Sequence, residues 1–254
     1  MDNITRIDGL YNFRDLGGME TDSGHIASGL LYRSEALAGM SEQGRRQLED
    51  SPVALDLDLR SDQEARLLPD PEIKGVERVH IEMLDGAMPE DAGDIERRES
   101  QGKDAAALLR QTYLSLIAHN GPDYARVVHR TAQAAAAGKG TLIHCSAGKD
   151  RTGTSIAFIL TLAGARREQV VADYASSQAN LSGAWQESML AMIERAGVNV
   201  PESIRPTMVI TPPALIEEIL DKVEREYGSV AAYLLANGGH QEDIDALRQA
   251  LRAD

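Results

Sequence analysis

The hydrophobic pattern of this chain alternates between short apolar runs and longer amphipathic segments. The short runs predict strands at 30–33, 53–59, 76–82 and 140–144. Segments with helical periodicity predict helices at 41–50, 104–118, 122–137, 151–163 and 167–177. Pro122 lies at the predicted start of the helix 122–137, and Gly138 lies just after its predicted end; proline and glycine are common at these two positions. This alternation predicts an α/β fold with a mostly parallel central sheet flanked by helices.

Two regions depart from the alternation. Residues 85–103 are rich in Asp, Glu and Gly with little periodicity, so we expect a mobile loop there. From Leu181 onward the pattern predicts a helical C-terminal region, with one helix from Pro212-Pro213 to Tyr227 and a last one from about Glu242 to Arg252. At 254 residues, the chain suits one enlarged domain, 1–254.

Residues 144–153 carry the strongest chemical signal and read H-C-S-A-G-K-D-R-T-G. A strand that ends at Cys145 and a helix that begins near Arg151 enclose a turn whose backbone amides converge, which is the layout of a phosphate cradle. The small residues that permit this turn are Ser146, Ala147 and Gly148. A helix N-terminus and a nearby cation favour the thiolate, the nucleophilic form of cysteine. The planar fork of Arg151 can hold two phosphoryl oxygens.

A lone cysteine beside an apolar strand is more often a small buried hydrophobe. The C-x5-R spacing alone is also a weak signal. The preceding histidine, the glycine, the R-T-G exit and the strand-loop-helix context together favour a phosphatase loop.

The chain resembles the cysteine-dependent protein tyrosine and dual-specificity phosphatases, and within them an atypical bacterial branch. The loop carries this likeness together with N-F-R-D-L-G-G at 12–18, G-L-L-Y-R-S at 29–34 and D-L-D-L-R-S at 56–61 followed by Glu64. These motifs span residues 12–151, and the C-terminal hundred residues match only in helical character. The resemblance implies hydrolysis of phosphotyrosine, and of phosphoserine, phosphothreonine or phosphoinositides as further substrates.

The resemblance also implies a role for each loop residue. Cys145 forms a phosphocysteine intermediate, Arg151 clamps the phosphate, Thr152 donates to the sulfur as it departs, and His144 orients the loop from behind. The residues expected to bind the substrate phosphate are Ser146, Ala147, Gly148, Lys149, Asp150 and Arg151. Lys149 adds a charge close to the bound phosphate, which would favour substrates with more than one phosphate. We prefer this interpretation to the alternative of a solvated rim charge.

The leaving group needs a proton from a carboxylic acid. The branch that the chain resembles places this acid within the cradle, at Asp150, whereas most of the superfamily places it on an upstream loop, where Asp85 is the candidate. We rank Asp150 first. Asp58 and Arg60 follow a predicted strand, either facing the ligand crevice or forming a supporting salt bridge.

The segment after the cradle helix allows two interpretations. Its apolar stripe consists of Leu181, Ala184, Trp185, Met189, Met192, Ile193 and Ala196. Such a stripe is usually core. In the family that the chain resembles, however, a helical insertion at the matching place covers the active site, which implies a lid at 181–211.

A net charge of −14 argues against nucleic acid and anionic membranes as partners. One cysteine excludes an internal disulfide, and the mechanism needs neither a metal nor another cofactor. No signal peptide or long apolar run is evident, so we expect a cytoplasmic protein without stable membrane insertion, with signal-independent export as the alternative. Phosphorylated proteins or phosphoinositides are the expected partners.

Two alternatives remain beside the enzyme. Gly148-Lys149 resembles the end of a nucleotide-binding loop, but Ile143 stands where its first glycine belongs and Asp150 replaces its Ser or Thr. A catalytically inactive phosphate-binding scaffold of the same fold is the other, and the retention of Cys145 and Arg151 argues against it.

Overall fold

The computed structural model describes residues 5–83, 105–195, 199–202 and 205–253. Its central sheet has five strands in the order β1-β4-β7-β5-β6, and β4, β7, β5 and β6 run parallel. The strands are β1 (Arg14–Asp15), β4 (Leu31–Ser34), β5 (Val53–Asp58), β6 (Glu77–His80) and β7 (Gly140–His144). Only β1 at the edge pairs antiparallel, with β4. The predicted α/β class and the mostly parallel sheet are confirmed.

A second, small sheet was not predicted, and one of its strands contains Arg252, which the sequence had placed at the end of the last helix; that helix ends at Ala250. The small sheet has the order β2-β3-β8 and consists of β2 (Glu20–Thr21), β3 (Gly24–Ile26) and β8 (Arg252–Ala253). The end of the described chain therefore pairs with its beginning, since His25 and Ile26 lie opposite Ala253 and Arg252.

Ten α-helices occur in the described ranges. They are α1 (Glu42–Glu49), α2 (Asp62–Leu67), α3 (Ala105–His119), α4 (Gly121–Ala136), α5 (Asp150–Leu162), α6 (Arg167–Leu181), α7 (Ala184–Arg195), α8 (Pro213–Tyr227), α9 (Val230–Ala236) and α10 (Gln241–Ala250). Short 3₁₀ turns lie at Leu37–Gly39 and Arg205–Met208. All the predicted helices are present, and α2 and α9 are additional. The expected loop at 85–103 lies outside the described residues.

Helix α5 is the centre of the core. Nearly every side chain in it is buried, which fits its almost continuous apolar sequence between Ile156 and Leu162. Helix α4, in contrast, buries one face, and Tyr124 and Phe158 meet edge to face between the two helices at a ring distance of 4.9 Å. Among the helices described, none is of the length and apolarity that crossing a membrane requires.

The carboxyl ends of three parallel strands meet at one edge of the sheet. Ser34 of β4 and Asp58 of β5 both lie opposite His144, the last residue of β7. The amide of Leu59 continues the pairing and donates to the carbonyl of His144 at 2.9 Å. The residues that follow each strand are thereby brought together around Cys145.

Candidate active site

The cradle is a five-residue loop between β7 and α5, from Cys145 to Lys149. Cys145 is a free thiol and is 1% exposed. The strand-loop-helix arrangement expected from the sequence is therefore present, with α5 beginning at Asp150.

The peptide carbonyls of this loop face outward and are bound from behind. The amide of Ala36 donates to the carbonyl of Ser146 at 3.2 Å. The side-chain amide of Asn12 donates to the carbonyls of Ala147 and Gly148 at 3.0 and 3.2 Å. In a trans peptide the N–H of the following residue points opposite to the carbonyl. The amides that follow each of these carbonyls are thus turned toward the inside of the loop, as an anion cradle requires.

Two buried arginines reinforce this orientation. Arg33, which is fully buried, donates to the carbonyl of Gly148 at 2.6 Å and forms an ion pair with Asp173 of α6 at 2.5 Å. Arg14 also pairs with Asp173, at 2.6 Å, and donates to the side-chain oxygen of Asn12 at 2.6 Å. Burial and the neighbouring Arg33 lower the pKa of Arg14 to about 10, even though Asp173 opposes the shift. The N-terminal motif therefore holds the loop without being part of it.

Gly148 is the position where the loop requires glycine. Its φ is +65°, and a Cβ placed there would lie 2.0 Å from the carbonyl oxygen of Ser34. Both the left-handed backbone and the close approach of β4 exclude a side chain.

Glu64 orients the phosphate clamp, a role that was not predicted from the sequence. Its two carboxylate oxygens accept from Nη1 and Nη2 of Arg151 at 2.6 and 2.7 Å, and one of them also accepts from the Ser146 hydroxyl at 2.5 Å. Burial opposes ionisation of Glu64, but the hydrogen bonds and charge of Arg151 outweigh burial and lower the pKa of Glu64 to about 2. The pair therefore stays ionised at neutral pH.

The position of Glu64 follows from the start of α2. Ser61 and Glu64 form a capping box, in which each side chain binds the other's backbone amide. The spacing S-x-x-E is visible in the sequence and predicts this helix start. It does not predict the partner of Glu64, because Arg151 is 87 residues away.

Asp150 and Thr152 lie on the first turn of α5. The carboxylate of Asp150 is 3.1 Å from the ammonium of Lys149, and its side chain is 15% exposed. Burial, and after it the negative charge of Asp150, hold the pKa of the Tyr113 hydroxyl well above its ordinary value. The hydroxyl of Thr152 is buried and has no hydrogen-bond partner among the described residues. Asp85 lies outside the described residues.

Lys149 does not point to solvent. Its ammonium is almost fully buried and donates to the carbonyls of Thr207 and Ile210 at 2.8 and 3.3 Å. In this conformation the lysine ties the loop to the segment that follows α7, so the interpretation as a solvated rim charge is wrong.

The segment from Leu181 also touches the loop. Leu181, Trp185 and Val209 form a small apolar cluster, against which Ala147 of the cradle packs. Of the rest of the stripe, Met189, Met192 and Ile193 are half-buried, Ala184 is exposed, and Ala196 lies outside the described residues. This pattern is intermediate between a packed core helix and a free surface helix.

His144 lies at the centre of a buried network of charges on the opposite side of the loop. Its Nε2 is 3.1 Å from Asp56 and 3.6 Å from Asp70, and its Nδ1 is 3.4 Å from the carbonyl of Cys145. Burial alone would lower the pKa of His144, but the charge of Asp56, followed by those of Asp58 and Asp70, raises it to about 9. The carboxylates around the ring therefore favour the protonated form of the residue before the nucleophile.

Asp58 and Arg60 form a buried pair within this network. The guanidinium of Arg60 contacts Asp58 through two hydrogen bonds, at 2.9 and 2.8 Å, and also binds Asp70. Of the two interpretations of these residues, the structure therefore shows the salt bridge.

Within the described ranges, one group of side chains has metal-ligand spacing. The ligand atoms of Asp58, Asp70 and His144 lie within 4.8 Å of one another. Arg60, however, already binds both carboxylates. Its guanidinium supplies the positive charge that a cation would bring to this place.

Comparison with known proteins gives one family for nearly the whole chain. The model of the tyrosine phosphatase family matches residues 5–253. The triple specificity protein phosphatase PtpB of Mycobacterium tuberculosis is 27% identical over 282 aligned residues, which cover 98% of this chain and 99% of that protein. A putative tyrosine-protein phosphatase of Cupriavidus necator is 28% identical over 231 residues, or 89% of this chain and 81% of that protein.

A solved structure of PTPMT1 in complex with PI(5)P aligns with a TM-score of 0.33 and 14% identity, over 77% of this chain and 95% of its own. That score is too low to establish a common fold.

Replacing Gly148 by alanine should destabilise the protein far more than the same change at Gly138, whose φ of +68° is nearly equal but whose Cβ would meet nothing within 4 Å. Gly138→Ala should lower the free energy of unfolding by about 1 kcal/mol, because the only cost is that of placing an alanine in a left-handed backbone conformation. Gly148→Ala adds the clash with β4, for about 3 kcal/mol or more in total. Urea unfolding of both variants measures this difference. Equal losses in the free energy of unfolding would show that the loop can move away from β4 without an energetic cost.

Proposed function

Because the chain belongs to the tyrosine phosphatase family, a family of enzymes, we propose that it hydrolyses phosphotyrosine through a phosphocysteine intermediate on Cys145. The observation that carries this proposal is the loop around the buried thiol, with its carbonyls bound from outside and Glu64 aligning Arg151. Phosphoserine, phosphothreonine and phosphoinositides are proposed as further substrates, and the triple specificity of the mycobacterial relative supports a broad range.

In the first step the sulfur of Cys145 attacks phosphorus, so that an S–P bond forms while the P–O ester bond breaks. The leaving oxygen takes a proton from a carboxylic acid. In the second step water attacks phosphorus, the S–P bond breaks, and the same carboxylate accepts a proton from the water. Inorganic phosphate leaves, and the thiolate is regenerated while the Thr152 hydroxyl donates to the sulfur.

Arg151 would bind two equatorial oxygens of the phosphoryl group. A guanidinium has two edges that present paired N–H groups. Glu64 takes the end edge, formed by Nη1 and Nη2. The side edge, formed by Nε and one Nη, has the same fork geometry and would take the phosphoryl oxygens, where it stabilises the charge that spreads over them in the transition state.

Asp150 is the acid that we favour, with Asp85 second. Asp150 follows the loop directly, and its side chain is partly exposed. Its charge helps to raise the pKa of the buried Tyr113 hydroxyl, which places the two groups close together. An acid at this position meets the leaving oxygen while the amides of the loop hold the other phosphoryl oxygens.

The first experiment compares wild type, Cys145→Ser and Asp150→Asn on an aryl phosphate and an alkyl phosphate. Cys145→Ser should lose all turnover, because a serine hydroxyl is not ionised at neutral pH. Asp150→Asn should lower kcat by about 10² to 10⁴ for the alkyl ester and much less for the aryl ester, whose leaving group needs little protonation. Turnover by the serine variant would refute the proposal, whereas no turnover by wild type would indicate the inactive scaffold. Equal small losses for Asp150→Asn would exclude Asp150 as the acid and leave Asp85 to be tested.

We also propose that Lys149 supplies a charge to substrates with a second phosphate. Its ammonium lies next to the loop and would exchange the carbonyls of Thr207 and Ile210 for the additional phosphate. Lys149→Met should raise KM for a phosphoinositide about tenfold, or ~1.4 kcal/mol, and leave KM for a singly phosphorylated tyrosine peptide within twofold. Lys139→Met removes an exposed lysine as the control. Equal changes for both substrates would assign Lys149 a purely structural part.

The segment 181–211 is proposed as a lid. It is supported by the packing of Ala147 against the cluster of Leu181, Trp185 and Val209, and by the half-buried stripe of α7. Removing the indole should therefore open the loop to reagents.

Trp185→Leu should raise the rate of Cys145 alkylation by iodoacetamide several-fold, while Leu235→Ala, at an exposed site on α9, should not. Trp185 is the single tryptophan of the chain, so its fluorescence should also shift when orthovanadate occupies the loop. Alkylation at the wild-type rate together with unchanged fluorescence would show that α7 is ordinary core.

A further inference from the structure

The buried network behind the loop contains a carboxylate with no assigned role. Asp56 of β5 is fully buried, and one of its oxygens lies 3.1 Å from Nε2 of His144. Its other oxygen accepts from Nε of Arg78 at 2.7 Å. Asp56 thus connects the residue before the nucleophile to a guanidinium that is 31% exposed.

Both ring nitrogens of His144 face acceptors. Nε2 faces the carboxylate of Asp56, and Nδ1 faces the carbonyl of Cys145 at 3.4 Å. A neutral imidazole would have to turn a lone pair toward one of these oxygens. A carboxylate beside Nε2 and a carbonyl beside Nδ1 therefore favour the doubly protonated ring, which places a positive charge beside the backbone of Cys145.

The charges around the ring also favour a proton on it. Three carboxylates face this network, those of Asp56, Asp58 and Asp70, against two guanidiniums, those of Arg60 and Arg78. When all three carboxylates are ionised, a protonated His144 brings the sum of these formal charges to zero, and an uncompensated buried charge is costly. The remaining titratable neighbour, His80, contacts the carbonyl of Arg60 and Asp62 and not the ring of His144.

We infer that Asp56 is a positioning residue of the phosphatase reaction, which holds His144 as an imidazolium and thereby orients the Cys145 peptide and favours its thiolate. This inference rests on the proposed phosphocysteine chemistry. Asp56 also lines a cleft of about 370 Å³ together with Glu72, Ile73, Val76 and Arg78. Protons can therefore reach the network in the folded protein.

Two variants should shift the pKa of His144 in opposite directions. Asp56→Asn keeps the shape of the side chain but removes its negative charge, so His144 should lose its proton at a pH about two units lower than in wild type. Arg78→Gln removes a neighbouring cation, so His144 should keep its proton to a higher pH than in wild type. Glu77→Gln, which removes an exposed charge from the same strand as Arg78, is the control and should change nothing.

The measurements are the ¹⁵N shifts of the His144 ring from pH 5 to 11, assigned against His144→Gln, and the rate of Cys145 alkylation and kcat for an aryl phosphate from pH 5 to 9. In Asp56→Asn, alkylation and kcat should fall about tenfold at pH 8 relative to wild type and recover toward pH 5.5, where the ring regains its proton.

An unchanged His144 titration in Asp56→Asn would overturn the inference, and so would a shifted titration that leaves the alkylation profile as in wild type. If Asp56→Asn does not fold, Arg78→Gln decides by the same readouts, since a purely structural role predicts no upward shift. The ring shifts and the alkylation do not depend on turnover. A wild-type protein that hydrolyses nothing would therefore refute the proposed function and leave this inference testable.

Discussion

The orientation of three peptide units is the constraint on which this site depends. The carbonyls of residues 146, 147 and 148 must face away from Cys145 if the amides that follow them are to face an anion. A five-residue turn does not enforce this alone. The side chains of Asn12 and Arg33 and the backbone of Ala36 hold the carbonyls outward. Asp173 in turn holds Arg33, so α6 is part of the support for the loop.

Two buried polar networks thus flank the loop on opposite sides. One joins the N-terminal motif to α6 through Asp173, and the other surrounds His144 with carboxylates and guanidiniums. Burying so many charges is costly, and apolar packing would give more stability for the same volume. What such networks provide is one fixed arrangement, because most of their charged groups are held by hydrogen bonds of defined direction. A site that must hold several amides at hydrogen-bonding distance from one anion needs that definition more than it needs additional stability.

The parts of the fold that the sequence predicts are those set by local periodicity. The four main strands and the long helices follow from apolar spacing, and the loop follows from its ten residues. The small sheet was missed because its strands are two or three residues long and β8 is more than 200 residues from β3. Helix α2 was missed although Ser61 and Glu64 have the spacing of a capping box.

The site shows the same limit. Cys145 and Arg151 are recognisable because they stand six positions apart, whereas Glu64 and Asp173 act on partners that are 87 and 140 residues away. The binding partners of the Lys149 ammonium are harder still to predict. The groups that bind its ammonium are backbone carbonyls, which every residue has, so nothing in the sequence marks Thr207 and Ile210 as its partners.

The loop also resolves the conflict between an acidic protein and an anionic substrate. The net charge of −14 is spread over the whole molecule. At physiological ionic strength, exposed charges are screened beyond about 8 Å. The groups that would bind the anion act at much shorter range and away from solvent: the amides of the loop converge on it, and the guanidinium of Arg151 is only 4% exposed. A phosphoryl group that reaches the loop therefore meets a local field of the opposite sign to that of the whole protein, and salt weakens the repulsion on approach more than the attraction on binding.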